Sequence, residues 1–226
     1  MFLAGDAVHH VINVLRMKPG QELILFNGKG GFFEARIESI GKRQVEVLPV
    51  AYHDAECESP LDITLAIGIS RGQRMDVTLQ KAVELGVSKI VPIQSRFVTV
   101  KPDEKRQDKR LLHWQKIITG ACEQCGRNRI PDVTAPVNFT DWVARENAGL
   151  KILLHPAGQQ TINRLNNDQN GIILLAGPEG GFSDDENRMA EKNGYQAVTL
   201  GPRILRTETA PLAAITACQV LWGDLG

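Results

Sequence analysis

Three stretches of the chain place glycines, charged residues or a histidine directly after apolar segments that are typical of buried strands. The first, Ala176–Glu186, contains Gly-Pro-Glu-Gly-Gly and then Phe-Ser-Asp-Asp-Glu. Its glycines would let the backbone approach a ligand closely, and Ser183 with Glu186 is typical of a capping box that starts a helix. A tight strand-to-helix turn without a ligand would use the same residues. The stretch is neither Gly-x-Gly-x-x-Gly nor a Walker loop, which argues against dinucleotide and triphosphate binding.

The second stretch, Leu200–Ala210, carries two arginines, an apolar pair and a Thr-Glu-Thr run between a predicted strand and a predicted helix. Thr207 or Thr209 could cap that helix, and the helix dipole would favour Glu208 whatever the function. Arg206 is different, because a charged group beside buried apolar residues usually needs a partner. We therefore single out Arg206 as the candidate for chemistry in this loop.

The third stretch is shorter, with His155 directly after the apolar segment Lys151–Leu154. A histidine at a strand end can act as an acid or base, but it is more often a hydrogen-bonded structural group, and we expect His155 to form a pocket wall. Cys122 and Cys125 have the spacing of zinc ligands, yet no second pair is spaced to complete a site. These two cysteines share a helix face, which favours core burial, so we expect no metal site.

Charge is unevenly distributed along a chain whose formal net charge is zero. Residues 71–130 carry 13 lysines and arginines against six acidic residues, whereas acidic residues outnumber basic ones on either side. Such a basic middle could offer a face to phosphates, although a solvated helix surface would have the same composition. The arginines that could form this face are Arg71, Arg74, Arg127 and Arg129.

The composition, with 42% hydrophobic and 23% charged residues, is typical of a folded soluble protein. No apolar run is long enough for a membrane span, and the first residues lack the layout of a signal peptide. Four cysteines are too few for a disulfide framework in 226 residues, so we expect a reduced, cytoplasmic protein. The polar, acidic stretch 51–60 ends in proline and predicts a linker, which divides the chain into domains 1–60 and 61–226.

The segment before the linker has the pattern of a small β-rich domain, which we expect to be a barrel. Apolar runs at 22–26 and 32–37 flank Asn27-Gly28, a strong hairpin signal, and residues 44–48 alternate like a strand. Ahead of them, residues 6–15 have the apolar spacing of a short helix that Asp6 could cap.

After the linker, apolar strands alternate with helices, which predicts an α/β domain with a mainly parallel sheet covered on both faces. Pro92 indicates that its strand lies at an edge or ends there, and Gly86 would end the helix before it. In open α/β sheets ligands bind beyond the carboxyl ends of strands, so we expect the three stretches to form one pocket. The predicted strands are 62–69, 89–93, 151–154, 172–176 and 197–200, and three further helices are 103–125, 183–193 and 209–222.

Six motifs span nearly the whole chain: Val14-Leu15-Arg16, Asn27-Gly28-Lys29-Gly30, Gln80-Lys81-Ala82-Val83-Glu84-Leu85-Gly86-Val87, Glu123-Gln124-Cys125-Gly126-Arg127, Gly177-Pro178-Glu179-Gly180-Gly181-Phe182 and Leu200-Gly201-Pro202-Arg203-Ile204-Leu205-Arg206-Thr207-Glu208-Thr209-Ala210. In this order they resemble the RsmE family, the uridine-N3 methyltransferases of small-subunit (16S) ribosomal RNA in the SPOUT superfamily. The last two motifs are the most specific. Asn27 stands where the family often has aspartate, an exchange that a turn tolerates.

The resemblance implies a PUA-like RNA-binding β-barrel over 1–60 and a SPOUT methyltransferase domain over 61–226, whose parallel sheet contains a trefoil knot. It also implies S-adenosyl-L-methionine as the cofactor, a homodimer as the functional unit and 16S rRNA of the small ribosomal subunit as the partner. Two alternatives stay open, namely a SPOUT methyltransferase acting on another RNA such as tRNA, and a non-catalytic RNA-binding module. A nucleotide-linked oxidoreductase is disfavoured by the missing fingerprint.

For such a methyl transfer we expect catalysis to be mostly positioning, which can contribute on the order of 7–11 kcal/mol. Arg206 would stabilise the anion that forms when uridine N3 loses its proton, and we assign no general base. The expected cofactor contacts are Leu154, His155, Leu175, Gly177, Pro178, Glu179, Gly180, Leu200, Gly201, Ile204, Leu205, Arg206 and Thr207. The expected RNA contacts are Arg16, Lys29, Arg71, Arg74, Arg127 and Arg129.

Overall fold

The computed structural model describes residues 1–97, 104–145, 148–168 and 171–226. They form two compact units, the first built from Met1–Cys57 with Gly126–Arg129 and the second from Glu58–Cys125 with Ile130–Gly226. Each unit has its own cluster of buried apolar side chains. No helix in the described part is long and apolar enough to cross a membrane.

The first unit is an antiparallel sheet with a short helix. Its strands, in the spatial order β1-β4-β3-β2, bury alternate residues such as Ala35 and Ile37, while Glu34 and Arg36 face outward. The outer strands β1 and β2 each pair with one neighbour, so the described strands form an open sheet where we expected a closed barrel. The elements are β1 (Phe2–Leu3), α1 (Asp6–His9) with a π-helical turn (His10–Val14), β2 (Glu22–Leu25), β3 (Phe32–Ile40) and β4 (Val45–His53).

Two local expectations for the first unit need correction. Gly5 precedes α1 at the cap position without a side-chain bond, so Asp6 is not the cap but lies in the first turn, where the helix dipole favours a carboxylate. Strand β4 continues to His53, three residues into the predicted linker, because Tyr52 pairs with Phe33 across the sheet. The hairpin at Asn27-Gly28 is confirmed, with a longer loop whose turn is held by a bond from Lys29 N to Asn27 Oδ1 at 2.9 Å.

The second unit is a parallel sheet flanked by helices. Its spatial order is β11-β9-β10-β5-β6-β7, with β8 also paired to β6, and every strand pair is parallel. The elements are β5 (Asp62–Gly68), α2 (Gln73–Glu84), β6 (Lys89–Gln94), α3 (Glu104–Cys125), β7 (Asp132–Val133), β8 (Val137–Asn138), α4 (Phe139–Val143), β9 (Leu150–Leu154), a 3-10 turn (Ile162–Arg164), β10 (Gly171–Ala176), α5 (Asp184–Lys192), β11 (Gln196–Val198) and α6 (Thr209–Trp222).

The predicted α/β alternation is confirmed, with three local differences. Pro92 is not on an edge strand, but it lies opposite the gap between β7 and β8, where β6 needs no donor from residue 92. Strand β11 ends at Val198 rather than residue 200. The predicted start of α3 at Asp103 lies outside the described residues. Gly86, with φ of 85°, directly follows the end of α2 as expected.

The parallel sheet fixes where the loops that follow its strands can meet. Central strands are apolar throughout because helices cover both faces, and β5 buries residues such as Leu65 and Ile67 completely. Strands β5, β9, β10 and β11 are neighbours or near neighbours and all run the same way. Their following loops therefore emerge at one edge of the sheet, which is the edge that carries the candidate site.

Candidate active site

A cleft of about 670 Å³ opens at the carboxyl edge of the parallel sheet. Its volume lies within the range of roughly 300–1,000 Å³ that is typical of sites for small molecules and cofactors. Apolar side chains and exposed loop backbone form most of its surface. The lining residues are Arg74, Leu154, His155, Pro156, Ala176, Gly177, Pro178, Glu179, Gly180, Gly181, Phe182, Asn187, Ile204, Leu205, Arg206, Thr207, Glu208, Ala210 and Pro211.

The glycine-rich loop after β10 packs so closely that Gly177 within it and Gly68 beside it have no room for a side chain. A Cβ atom on Gly68, at the end of β5, would lie 2.4 Å from Pro178 Cδ. A Cβ atom on Gly177 would lie 3.0 Å from Gly181 Cα, because the loop folds back on itself through a 2.8 Å bond from Gly181 N to Pro178 O. The glycines therefore allow backbone to approach backbone, and they leave the loop's outer surface to the cleft.

Thr207 joins the loops that follow three different strands. Its hydroxyl donates to the carbonyl oxygen of Gly177 at 2.9 Å, across 30 residues of sequence. Its Oγ1 also lies 3.3 Å from the hydroxyl of Ser70, which is buried just beyond β5. The loops after β5, β10 and β11 are thus linked at one point beneath the cleft.

A charged cluster forms one wall of the cleft. Glu179 Oε1 accepts hydrogen bonds from Arg71 N at 3.0 Å and from Arg74 Nη1 at 3.1 Å. Partial burial opposes ionisation of Glu179, but these bonds and one from its own backbone N–H outweigh it and hold its pKa below the ordinary value. The carboxylate therefore stays charged at neutral pH and fixes the glycine-rich loop against the start of α2.

Glu208 contributes a carboxylate oxygen that accepts no hydrogen bond among the described residues. Glu208 Oε2 is buried and has no hydrogen-bond partner among the described residues. Its nearest cation is Arg74 Nε, which at 3.9 Å is too far away for a hydrogen bond. A buried acceptor without a donor is costly, and its place on the cleft wall suits a ligand that carries positive charge or an N–H group.

Arg206 and His155 both face the cleft but differ in their bonding. Arg206 is exposed, and within the described ranges its guanidinium has no ion pair, while its carbonyl accepts bonds from Thr209 N and Ala210 N at the start of α6. His155 is half-buried, and its Nδ1 accepts a bond from Ala157 N at 3.2 Å. Arg206 is therefore free to meet a substrate, whereas His155 is already held by its own turn.

Most of the expected cofactor contacts converge on the cleft, and three lie elsewhere. Leu200 lines an adjoining hollow of about 60 Å³. Leu175 is completely buried in the core, and Gly201 is exposed outside both cavities. Those that line the cleft are Leu154, His155, Gly177, Pro178, Glu179, Gly180, Ile204, Leu205, Arg206 and Thr207.

Three cleft residues with polar side chains were not expected to contact a cofactor. Arg74 comes from α2 and Asn187 from α5, so only the tertiary fold brings them to the cleft. The sequence places Glu208 beside a predicted helix start, where the helix dipole alone favours a carboxylate. The neighbouring residues Arg206 and Thr207 are expected cofactor contacts in the same motif, and this proximity could have identified Glu208 as a cleft residue.

The expected RNA contacts divide between the two units. Arg71 and Arg74 are exposed in the second unit, and Arg16, Lys29 and Arg129 are exposed in the first. The remaining residue, Arg127, is only 4% exposed and is engaged within the protein. A buried guanidinium cannot reach a phosphate without rearrangement, so the structure argues against Arg127 in this role.

Both cysteines of the Cys-x-x-Cys pair lie on α3. Cys122 is completely buried and Cys125 is half-buried on α3, as expected for core residues one helical turn apart. Among the residues that the structure describes, no group of three or more His, Cys, Asp or Glu side chains could hold a metal ion.

Two family models match consecutive parts of the chain. The model described as an RNA methyltransferase PUA domain matches residues 3–50, and the one described as an RNA methyltransferase domain matches residues 57–219. The second match includes every residue that lines the cleft.

Similar proteins share both the sequence and the fold over the full length. A ribosomal RNA small subunit methyltransferase E from Buchnera aphidicola is 39% identical over 99% of this chain and 91% of its own. A methyltransferase structure from Legionella pneumophila, in complex with the bound cofactor SAM, is 43% identical with a TM-score of 0.97, covering 100% of this chain and 93% of its own. A ribosomal RNA small subunit methyltransferase E from Neisseria gonorrhoeae, bound to S-adenosyl methionine, gives 41%, a TM-score of 0.93 and the same coverage. The chain therefore belongs to the ribosomal RNA small subunit methyltransferase E family, as its motifs indicated.

Proposed function

We propose that the protein transfers a methyl group from S-adenosyl-L-methionine to N3 of a uridine in small-subunit (16S) ribosomal RNA. The observation that carries this proposal is the single cleft formed by the loops at 177–182 and 204–208, which hold the two most specific family motifs. Full-length similarity to ribosomal RNA small subunit methyltransferases E supports the same activity.

The cleft has the chemistry that S-adenosyl-L-methionine requires. Apolar walls from Leu154, Ile204 and Leu205 suit the adenosine, and the exposed backbone of the glycine-rich loop offers polar groups to its edges. Glu208 Oε2, a buried carboxylate oxygen without a hydrogen-bond donor, suits a cofactor that carries two positive groups, a sulfonium and an ammonium. When bound, this cofactor supplies a methyl carbon already activated for displacement, so the protein needs neither a metal nor a phosphate-binding loop.

The chain's own contribution is to position the reactants and to stabilise charge. The Glu179–Arg74 pair and the Thr207–Gly177 bond hold the walls of the cleft in place before anything binds. Uridine N3 must lose its proton, and the resulting negative charge spreads onto the neighbouring carbonyl oxygens. The exposed guanidinium of Arg206 is suited to stabilise this charge, since it presents several donors in a rigid plane.

The role of Arg206 is tested by comparing it with an arginine in the same loop that lies outside the cleft. Removing one preorganised donor to a developing oxyanion typically lowers kcat by roughly 100- to 1,000-fold. We expect that loss for Arg206→Ala with little change in folding stability, and no comparable loss for Arg203→Ala, which lines only the adjoining hollow. Normal turnover by a folded Arg206→Ala protein would exclude this role.

The RNA substrate is tested by mapping methylated nucleosides in a strain that lacks the gene. The proposal requires that one 3-methyluridine disappears from small-subunit rRNA and returns with the wild-type gene. Loss of a methylated nucleoside from tRNA instead would favour the alternative substrate. Failure of the purified protein to bind labelled S-adenosyl-L-methionine would favour the non-catalytic RNA-binding module.

We further propose that residues 1–60 act as a PUA-like RNA-binding domain and residues 61–226 as a SPOUT domain with a trefoil knot. Val198 in β11 pairs with Leu154 on one side and bridges to Gln160 on the other. Strand β11 therefore lies between β9 and the segment that follows β9, an arrangement that supports a threaded chain. A crystal structure with an unknotted backbone would refute the trefoil knot.

A homodimer, the remaining part of the proposal, is supported by apolar side chains at the end of α6. Val220 and Leu221 are exposed in its last turn, and Leu225 is exposed just beyond it. Helix α2, which packs against α6, also exposes an apolar side chain, Val77. We expect Leu221→Glu to shift the protein to a monomer in light scattering, and the same change at Leu112, an exposed leucine on α3, to leave the dimer intact. A wild-type monomer at all concentrations would refute the proposal.

Activity on ribosomal RNA would place the protein in the cytoplasm.

A further inference from the structure

Two aromatic rings lie side by side in the first unit, beyond the end of its core. Phe33 of β3 and Tyr52 of β4 are direct partners in the sheet, with ring centroids 4.9 Å apart and planes tilted by 50°. Phe33 is 40% exposed and Tyr52 is 55% exposed, and neither belongs to the apolar cluster of this unit. A cross-strand aromatic pair stabilises a sheet, but that function does not require leaving so much of both rings in water.

The loop that joins β2 to β3 holds the tyrosine ring in position. A Cβ atom on Gly31 would lie 2.2 Å from Tyr52 Oη and within 2.8 Å of two ring carbons. Any side chain at residue 31 would therefore displace the ring, and φ of 65° at this position also favours glycine. The backbone of Gly31 packs directly against the Tyr52 ring, so the ring offers a surface of defined orientation to a ligand.

Two cations lie in or against the loop that holds the tyrosine ring. Lys29, two residues before Gly31, forms an antiparallel bridge with Arg129. A Cβ atom on Gly30 would lie 2.9 Å from Arg129 Nη2, so the guanidinium rests against the same loop. Arg129 Nε donates to Glu56 Oε2 at 2.6 Å, which orients the guanidinium while its side chain remains 54% exposed.

The opposite face of the sheet has a different character. By strand alternation Phe33 shares the inner face with Ala35 and Ile37, whereas Glu34, Arg36 and Glu38 point outward. The outer face therefore carries more acidic than basic side chains along β3. Of the two faces, the acidic outer one is therefore less suited to a polyanion, and the aromatic rings lie on the other.

We propose that Phe33 and Tyr52 form a stacking platform for an unpaired base of RNA, with Lys29 and Arg129 binding the flanking phosphates. Stacking on an aromatic ring accepts any base, and the two cations would hold the backbone on either side of it. The inference rests on the proposed function only in taking RNA as the partner. It gives the first unit a task separate from the cleft, namely to hold a single-stranded stretch of the substrate.

The test uses the full-length protein and a short oligouridylate that carries one central 2-aminopurine, whose fluorescence falls when it stacks. Since aromatic stacking contributes roughly 1–3 kcal/mol per base, we expect Tyr52→Leu and Phe33→Leu each to weaken binding by about 5- to 150-fold and to reduce the quenching. Tyr52→Phe should bind like the wild type, because it keeps the ring. Ile24 is an exposed apolar residue on the outer face, so Ile24→Ala serves as the control and should have no effect.

Salt dependence separates stacking from phosphate contacts. Lys29→Ala should lower the slope of log affinity against log salt by about 0.7, whereas Tyr52→Leu should leave the slope unchanged. Wild-type affinity and quenching in both leucine variants would overturn the proposal. A change of oligomeric state in Tyr52→Leu would overturn it as well, because the rings would then be a subunit contact.

Two measurements keep this test separate from the proposed enzymatic function. Circular dichroism melting identifies a variant that fails to fold, in which case the other leucine variant and Tyr52→Phe still decide. Calorimetric binding of S-adenosyl-L-methionine should be equal in all these variants, because none of the substituted residues lines the cleft. Normal cofactor binding together with unaltered RNA binding in the leucine variants would refute the platform alone, and absent cofactor binding in the wild type would refute the enzymatic proposal alone.

Discussion

Replacing Thr207 by valine removes the hydroxyl that joins the two cleft loops while keeping the shape of the side chain. The bond from Thr207 Oγ1 to Gly177 O is 2.9 Å long and half-buried, and its loss would leave the Gly177 carbonyl without this donor. A net hydrogen bond contributes about 0.5–1.5 kcal/mol, and an unsatisfied buried acceptor costs roughly 1–3 kcal/mol. Because water can reach part of this site, we expect a loss of about 1–2 kcal/mol.

That loss should be visible both with and without cofactor. If Thr207 fixes the cleft, then the free energy of unfolding of the free protein falls by this amount, as measured by urea denaturation. If the fixed loops also bind S-adenosyl-L-methionine, then the Kd measured by calorimetry rises by about 5- to 30-fold. Thr207→Ser keeps the hydroxyl and should recover most of both losses.

A matched control is available on the exposed side of α6. Thr216 Oγ1 also donates to a carbonyl, that of Leu212 at 2.9 Å, but within one helix and in contact with solvent. Thr216→Val should therefore change the stability by less than about 0.5 kcal/mol and leave cofactor binding intact. A Thr207→Val protein with the stability and the cofactor affinity of the wild type would show that this hydroxyl does not fix the cleft.

Three further predictions concern packing, pH and a buried amide. Gly68→Ala should lower the free energy of unfolding by about 1–3 kcal/mol and weaken cofactor binding, because the new Cβ would meet Pro178. Gly120 has open space around it, so Gly120→Ala should be neutral or slightly stabilising. Equal melting temperatures of the two variants would refute this prediction. The pKa of Glu179 is lowered in the folded state, so the charged carboxylate stabilises the fold fully above its ordinary pKa of 4.5, and this stabilisation is lost as pH falls through the folded pKa. The difference in free energy of unfolding between wild type and Glu179→Gln, measured in urea, should therefore shrink below pH 4.5. A difference that does not change with pH would contradict the ion pair. Gln219 is completely buried, donates to Leu85 O at 2.9 Å and accepts from Ser59 Oγ at 2.7 Å. Gln219→Leu should therefore lower the free energy of unfolding, measured in urea or by heating, by roughly 2–4 kcal/mol, which is more than Ser59→Ala should. An unchanged stability would refute the structural role of Gln219.

Local patterns in the sequence predicted the elements that local forces decide. The capping box of Ser183 and Glu186 is formed in full, and Gly86 takes the left-handed conformation after α2 because a helix end favours glycine there. The apolar strands were recognisable because both of their faces are buried. Alternating short strands around Asn27-Gly28 likewise predicted the hairpin.

Contacts between distant segments decided what the sequence left open. Arg74 lines the cleft, where its guanidinium donates to Glu179, a residue 105 positions later in the chain. The predicted linker lost its first residues to β4 because Tyr52 and His53 have cross-strand partners, which composition does not reveal. Leu175 has the apolar side chain expected of a residue that contacts the adenosine. Its position on the central strand β10 directs that side chain into the hydrophobic core instead. Such outcomes depend on strand order and register rather than on residue type.

The measurement that tests our account most directly is a crystal structure of the protein with S-adenosyl-L-methionine bound at full occupancy. We expect the adenosyl group between the glycine-rich loop after β10 and the loop that leads into α6, in contact with the backbone of Gly177–Gly180 and with Leu205, and an N–H or cationic group of the cofactor near Glu208. An empty cleft with the cofactor bound elsewhere, or no binding at saturating concentration, would contradict the account.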